Sequence, residues 1–119
     1  MKKNYNEEIW KVIDGFEDYE VSSCGRVRRK YKRVQGYKYL KPQLTERGYL
    51  AVILYNNKTK KRKRFRVHRL VAQAFIENPN GKEQVNHKDM NKKNNHVENL
   101  EWCTNQENCI HYHLHKNDK

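Results

Sequence analysis

Val85-Asn86-His87 ends a short apolar run, and a polar loop separates it from Asn99-Leu100-Glu101-Trp102 and Asn105-Gln106-Glu107-Asn108. The first asparagine of the second segment lies 12 residues after the histidine (87 to 99), and the last asparagine of the third lies 21 residues after it (87 to 108). The asparagine-rich run 91–95 between the first two segments predicts Asx turns. His87 and the asparagines outside this run, Asn86, Asn99 and Asn108, are therefore the candidates for a chemical site.

Thr104 and Glu107 predict where the last helix begins. They fit a capping box, in which the threonine hydroxyl accepts from the third backbone N–H and the glutamate reaches back to the cap. With Thr104 as the N-cap, Asn108 lies in the first turns, and His111 follows three residues later on nearly the same face. A helix would hold Asn108 rigidly, as a metal ligand requires.

His87 is the candidate general base for phosphodiester hydrolysis. That reaction needs an activated water and relief of negative charge on the phosphate and the leaving oxygen, and an unperturbed imidazole titrates near neutral pH. Asn86 and Asn108 offer hard oxygen donors suited to Mg²⁺, and His111 is a further candidate metal ligand. Asn99 would tie the loop to the histidine and fix its tautomer.

Positive charge is concentrated in two runs of the chain. The net charge is +12, from 26 basic and 14 acidic side chains. Residues 26–41 and 58–69 each carry eight basic groups and no acid, whereas residues 7–20 carry six acids and one base. Such runs repel themselves unless a polyanion neutralises them, which favours a nucleic acid as the partner over a basic face kept for solubility. The predicted DNA contacts are Arg26, Arg28, Arg29, Lys30, Lys32, Arg33, Lys60, Lys61, Arg62, Lys63, Arg64, Arg66 and Arg69.

Membrane insertion and a cysteine framework are not expected. No apolar segment approaches the roughly 20 residues needed to span a bilayer, and the first residues lack the apolar part of a signal peptide, so we expect a cytoplasmic protein. The three cysteines, Cys24, Cys103 and Cys109, form no Cys-x-x-Cys pair. We therefore expect neither disulfides nor a structural zinc, and interpret the cysteines as small buried hydrophobes.

Hydrophobic periodicity predicts an α+β fold, with a small antiparallel sheet and one helix ahead of the His87 segment. Alternating patterns predict short strands within 9–13 and 19–22. Residues 48–66 predict a hairpin whose tip and return strand are basic. Apolar residues at helical spacing predict a helix over 68–75, and Asn78-Pro79 is a strong stop signal after it.

Together these segments resemble a known family. His68-Arg69-Leu70-Val71-Ala72-Gln73-Ala74-Phe75, Val85-Asn86-His87-Lys88-Asp89 and Asn99-Leu100-Glu101-Trp102 are similar to the HNH homing endonucleases of phage introns and their free-standing relatives. The stretch from Trp10 to Ser22, followed by Gly25-Arg26-Val27-Arg28, resembles the NUMOD4-like module often found ahead of that nuclease.

The resemblance implies two units. Residues 1–66 would form a β-rich DNA-binding module, with the NUMOD4-like part at 9–29 and the basic hairpin at 48–66. Residues 67–119 would form the ββα-metal unit of the HNH (His-Me finger) type, preceded by its helix. In that unit the resemblance implies His87 as general base, Asn86 and Asn108 as ligands of a divalent ion, and Asn99 as a structural member of the catalytic set. Mg²⁺ is the expected ion, with Mn²⁺ as an alternative.

A metal-dependent endonuclease that nicks duplex DNA as a monomer is the function that this resemblance implies. One departure keeps a second hypothesis open, because many relatives have aspartate before the histidine and this chain has Asn86. A neutral ligand holds a cation less tightly, so the chain could instead be a non-catalytic DNA-binding protein on the same scaffold. An RNA-binding module fits less well, since no stacked-aromatic signature is present.

Overall fold

A computed structural model describes residues 7–31, 33 and 35–107. The first described strands form a four-stranded antiparallel sheet in the order β1 (Trp10–Ile13), β2 (Phe16–Ser22), β3 (Val27–Lys30) and β4 (Tyr37–Tyr39). Gly15 takes a φ of +81° in the turn between β1 and β2, a conformation that glycine adopts without steric cost. The sequence predicted β1 and β2, but it did not predict β3 and β4, which lie within a basic run.

The second sheet contains the predicted hairpin. Its order is β5 (Gln43–Leu44), β6 (Leu50–Asn56) and β7 (Lys61–Arg66). At the tip, the Asn56 side chain accepts hydrogen bonds from the backbone N–H groups of Lys58 and Thr59, at 2.8 and 3.2 Å. This local bonding is the reason that asparagine favours turns.

Helix α1 (Val67–Phe75) follows β7 without a linker, one residue earlier than predicted. Six of its nine residues are buried, among them His68. The chain leaves the helix at Ile76, and the Asn78 side chain then closes a turn by bonding both backbone groups of Lys82. That turn agrees with the predicted stop at Asn78-Pro79.

The third sheet is a two-stranded ribbon of β8 (Gln84–His87) and β9 (Leu100–Cys103), with a short 3₁₀ helix at Val97–Asn99 before β9. The ribbon pairs residue 86 with residue 101 and residue 87 with residue 100. After β9, the Glu107 N–H donates to the Thr104 hydroxyl at 3.1 Å, and the Thr104 N–H donates to the Glu107 carboxylate at 2.9 Å. The capping box is therefore confirmed, and the described part of its helix is residues 105–107.

One hydrophobic cluster joins these elements. It includes Val21 and Val27 from the first sheet, Leu54 from the second, Val71 from α1 and Leu100 from β9. The α+β class is thus confirmed, and the front and back halves of the chain share their core. Within the described ranges, no helix has the length and apolar character needed to cross a bilayer.

The interpretation of the cysteines is right for one residue and wrong for another. Cys103 is buried at the end of β9, whereas Cys24 is exposed in the turn after β2. Cys24 directly precedes Gly25, whose φ of +86° turns the chain back toward β3 and leaves the neighbouring thiol in solvent. Cys109 lies outside the described residues.

Leu54 and Ile53 give a matched test of this core. Leu54 has no exposed surface, and the adjacent Ile53 is 48% exposed on the other face of β6. We expect Leu54→Ala to lower the free energy of unfolding by about 2–5 kcal/mol, because it leaves a cavity, and Ile53→Ala to change it by about 0.5 kcal/mol or less. Urea denaturation measures both, and equal losses would contradict this assignment of the core.

Candidate active site

His87 lies at the end of β8 and is 5% exposed. Its Nε2 is 2.8 Å from the Oδ1 atom of Asn95. Because a carbonyl oxygen only accepts, Nε2 carries the proton and Nδ1 keeps its lone pair. Burial lowers the pKa of His87, against the opposing effects of the Asn95 hydrogen bond and the Asp89 charge. The structure therefore holds a neutral imidazole in one tautomer, which is the state a general base needs.

Asn95 is itself held in place by the N-terminal part of the chain. A Cβ on Gly25 would lie 2.7 Å from the Asn95 Cβ, closer than two carbons can approach, so only glycine fits at position 25. The Val97 N–H donates to the Ser23 carbonyl at 2.8 Å and fixes the same loop. The turn after β2 thus supports the residue that orients the imidazole.

His68 and Tyr49 complete the surroundings of the imidazole. The His68 ring lies 4.9 Å from the His87 ring and stacks on Tyr49 with centroids 4.9 Å apart. Burial, assisted by the neighbouring His87 and Arg66, lowers the pKa of His68 to about 3. Within the described residues, two buried atoms here lack hydrogen-bond partners, His68 Nδ1 and Asn95 Nδ2. Orphaned buried polar atoms are uncommon, and they mark this cluster as a site rather than ordinary core.

The prediction that Asn99 fixes the tautomer of His87 is wrong, because Asn95 makes that contact. The Asn99 side chain instead bonds Asp89 in both directions, at 2.9 and 3.1 Å, and donates to the Asn94 carbonyl. The backbone carbonyl of Asn99 accepts from the Lys88 N–H. Asn99 therefore ties the loop together, as predicted, but it does so by bonding other loop residues and not the ring of His87.

The Asx-turn interpretation of residues 91–95 holds for Asn91 and Asn94, which accept from backbone N–H groups two residues further on. It missed Asn95, whose side chain turns inward and is 4% exposed. Sequence alone offers no signal that separates one asparagine from its neighbours in such a run. Hydrogen bonds from Asn94, Asn91 and Asn99 lower the pKa of Asp89, so its carboxylate is already engaged within the loop.

Asn86 lies on the face of the ribbon opposite to His87, because neighbouring strand residues alternate. Its amide nitrogen donates to the Glu101 carboxylate at 3.0 Å, so its Oδ1 points away from that carboxylate. A carboxamide oxygen is a donor that suits Mg²⁺. The other predicted ligands, Asn108 and His111, lie outside the described residues.

Comparison with known proteins agrees with this geometry. Residues 65–109 match the HNH endonuclease family, and residues 8–55 match the NUMOD4 motif. Residues 65–109 of the chain therefore belong to the HNH endonuclease family by sequence. The NUMOD4 match ends at residue 55 in β6 and contains the first sheet. The HNH match begins at residue 65 in β7 and contains α1 and the β8–β9 ribbon.

Relatives of this HNH protein come from viruses and bacteria. An uncharacterised HNH endonuclease of Acanthamoeba polyphaga mimivirus is 43% identical over 100 residues, which cover 84% of this chain and 28% of the relative. The DNA endonuclease I-HmuI of Bacillus phage SP01 is 43% identical over 96 residues, covering 80% of this chain and 52% of the relative. The chain thus spans about a quarter to a half of the length of these relatives.

A solved structure has the same fold. It is described as DNA binding and cleavage by the HNH homing endonuclease I-HmuI, and it superposes with a TM-score of 0.77 at 36% identity. The match covers 93% of this chain and 61% of that chain. At this identity the likeness supports the family as well as the fold.

Two of the predicted DNA-binding arginines of this HNH protein are already paired with acids. Arg28 bonds Glu20 at 2.7 Å, and its guanidinium lies 3.8 Å from the Trp10 ring centroid and 3.7 Å from that of Tyr37. Arg26 makes a two-point contact with Glu8, which lowers the pKa of that carboxyl. Their charges are largely matched within the outer face of the first sheet.

The other predicted DNA contacts are more open. Exposed side chains among them are Lys30, Arg33, Lys60, Lys61, Arg62, Lys63, Arg64 and Arg66, whereas Arg29 and Arg69 are half-buried. Lys32 lies outside the described residues. Sequence reasoning missed Lys92, whose Nζ lies 4.8 Å from the Tyr49 ring centroid, next to the His87 cluster.

His68 makes the stability of the protein depend on pH. Its pKa falls from the usual 6.5 to about 3 on folding, so between these values the unfolded chain binds more protons than the folded one. The stability is fully present above pH 6.5 and is lost as the pH falls toward 3. Lowering the pH from 7.5 to 5 should remove about 2 kcal/mol through this residue alone.

His68→Phe keeps a flat ring against Tyr49 but cannot titrate. We therefore expect the free energy of unfolding of the His68→Phe variant to fall less than that of the wild type when the pH is lowered from 7.5 to 5. Urea denaturation at the two pH values measures this difference. An equally steep fall in both proteins would show that His68 is not held neutral by burial.

Proposed function

We propose that this protein is a divalent-metal-dependent endonuclease that hydrolyses one strand of duplex DNA in each encounter, acting as a monomer. The observation that carries the proposal is the buried neutral imidazole of His87, fixed through Nε2 by Asn95. Membership of the HNH endonuclease family supports it.

The chemistry assigned to His87 is proton removal from water. Its Nδ1 lone pair would take a proton from a water molecule, whose oxygen then attacks the phosphorus atom. The bond from phosphorus to the 3′ oxygen breaks, and that oxygen leaves on the other side. Because Asn95 holds the Nε2 proton, the ring cannot present the wrong nitrogen to the water.

A divalent cation, Mg²⁺ in our proposal, would be held by Asn86 and Asn108 and would neutralise negative charge on the phosphate and the leaving oxygen. Asn86 fits this role because its donor group is bound to Glu101 and its oxygen is directed elsewhere. Asn86 and His87 lie on opposite faces of β8, which ends at residue 87. A phosphate that reaches both residues must therefore lie across the end of this strand.

A row of arginines leads toward this position. Arg62, Arg64 and Arg66 alternate along β7 with Lys61 and Lys63, so the three arginines share one face of the strand. The guanidinium of Arg66 lies 4.5 Å from the Tyr49 ring centroid, and the Tyr49 ring is 6.1 Å from the ring of His87. We propose that the DNA backbone follows this row to the active site.

A plasmid assay tests the catalytic proposal. With Mg²⁺ or Mn²⁺, the wild-type protein should convert supercoiled plasmid to open circles, and EDTA should stop the conversion. His87→Ala should lower the nicking rate by roughly 10²–10⁴-fold, because the water loses its general base. Gel quantification of the open circles over time gives the rates.

His96→Asn is the matched control, since His96 caps the 3₁₀ helix by accepting from the Glu98 N–H and asparagine is also a good cap. It should nick at nearly the wild-type rate. DNA binding without nicking by the wild type would favour the alternative, a non-catalytic DNA-binding protein. The uncharged residue at position 86 is the feature of this chain that supports that alternative. Undiminished nicking by His87→Ala would remove His87 from the reaction.

The arginine row can be tested separately through the salt dependence of DNA binding. Each phosphate contact contributes about −0.9 to the slope of log K against log salt concentration. The double variant Arg62→Gln and Arg64→Gln should reduce the magnitude of that slope by roughly 2. Fluorescence anisotropy of a labelled duplex at several salt concentrations measures it.

The control removes the same charge from the opposite face of the strand, with Lys61→Gln and Lys63→Gln. We expect a clearly smaller reduction in slope. If the two double variants are indistinguishable, the DNA backbone does not follow the arginine face of β7.

A further inference from the structure

Glu101 contacts the side chain proposed to hold the cation. It lies directly across the ribbon from Asn86, on β9, and its Oε1 accepts the Asn86 amide N–H at 3.0 Å. Asn86 is buried, whereas Glu101 is exposed to solvent. Among the described residues, this is the one hydrogen bond of the Asn86 side chain.

That hydrogen bond decides which end of the carboxamide is available. An ionised carboxylate has only acceptor atoms, so only the NH₂ end of Asn86 can face it. The reversed amide would place two oxygens 3.0 Å apart, at the distance that now separates a donor from an acceptor. Glu101 therefore directs the Asn86 oxygen to the other side.

The carboxylate also changes the quality of that oxygen as a ligand. A hydrogen bond to an ionised acceptor is stronger than one between neutral groups, and hydrogen-bonded groups polarise one another. Polarisation of an amide through its N–H moves electron density onto its oxygen. The oxygen of an asparagine with this partner carries more negative charge than that of an isolated asparagine. As a ligand it therefore resembles a carboxylate oxygen more closely.

We propose that Glu101 is the positioning residue that makes Asn86 competent to bind the divalent cation. It acts by fixing the orientation of the carboxamide and by polarising it, without touching the cation. The inference rests on the proposed metal-dependent function, and it explains how an asparagine can stand before the histidine. It also gives Glu101 a role in a chain whose ligand at position 86 carries no charge.

Two substitutions separate orientation from charge. Glu101→Gln removes the charge but keeps an oxygen that can accept the Asn86 N–H, whereas Glu101→Ala removes both. Glu98→Ala is the control, because Glu98 is an exposed glutamate three residues earlier. The experiment uses the full chain and measures Mn²⁺ affinity by electron paramagnetic resonance of the free ion, with plasmid nicking as a second readout.

We expect Glu101→Ala to weaken Mn²⁺ binding by about tenfold or more, as is usual when a partner behind a metal ligand is lost. Glu101→Gln should recover much of that loss, and Glu98→Ala should bind as the wild type does. In an Asn86→Asp background, the difference between glutamine and alanine at position 101 should disappear, because both oxygens of an aspartate are equivalent and need no orientation.

Equal Mn²⁺ affinity of the wild type and Glu101→Ala would overturn the inference and leave the proposed function intact. Equal weakening by Glu101→Gln and Glu101→Ala would also overturn it, since a hydrogen-bond acceptor at position 101 would then contribute nothing to the orientation of Asn86. A wild-type protein that neither binds Mn²⁺ nor nicks DNA would overturn the proposed function together with the inference.

Discussion

The hydrogen bond between His87 Nε2 and Asn95 Oδ1 lies where little water reaches, and the surrounding structure is arranged so that it can form. Inside a protein such a bond is stronger than in water, and an imidazole without a partner would be costly to bury. Burial keeps the ring uncharged, and Asn95 keeps its proton on one nitrogen. A reactive lone pair is thus presented at the end of β8 by packing and by one carboxamide.

The two family matches along the chain do not correspond to independent structures. The turn after β2 supports Asn95 through Gly25 and Ser23, and the hydrophobic cluster runs from the first sheet to β9. In a chain with only 35% hydrophobic residues, a shared core buries more apolar surface than two separate ones could. The N-terminal part of the chain therefore supports the geometry of the His87 site and also carries positive charge.

The positive charges of the chain serve two different purposes. Arg26 and Arg28 pair with acids and lie against aromatic rings, where they hold the outer face of the first sheet together. The arginines of β7 form no ion pair with an acid among the described residues, although Arg66 lies against the Tyr49 ring, and they project from an edge strand. Exposed basic side chains on an edge strand also oppose pairing with the edge of another chain.

The sequence by itself determined the β-hairpin, a helix over 68–75 and the capping box at Thr104, because each of these depends on neighbours within a few residues. The catalytic role of His87 stays a prediction. Tertiary structure alone decided that Asn95 and not Asn99 orients the imidazole, that His68 and Tyr49 surround it, and that Glu101 faces Asn86. Those partners are separated by 8 to 38 residues and meet only when strands pair and the core closes. A run of similar asparagines carries no local signal of which one will turn inward.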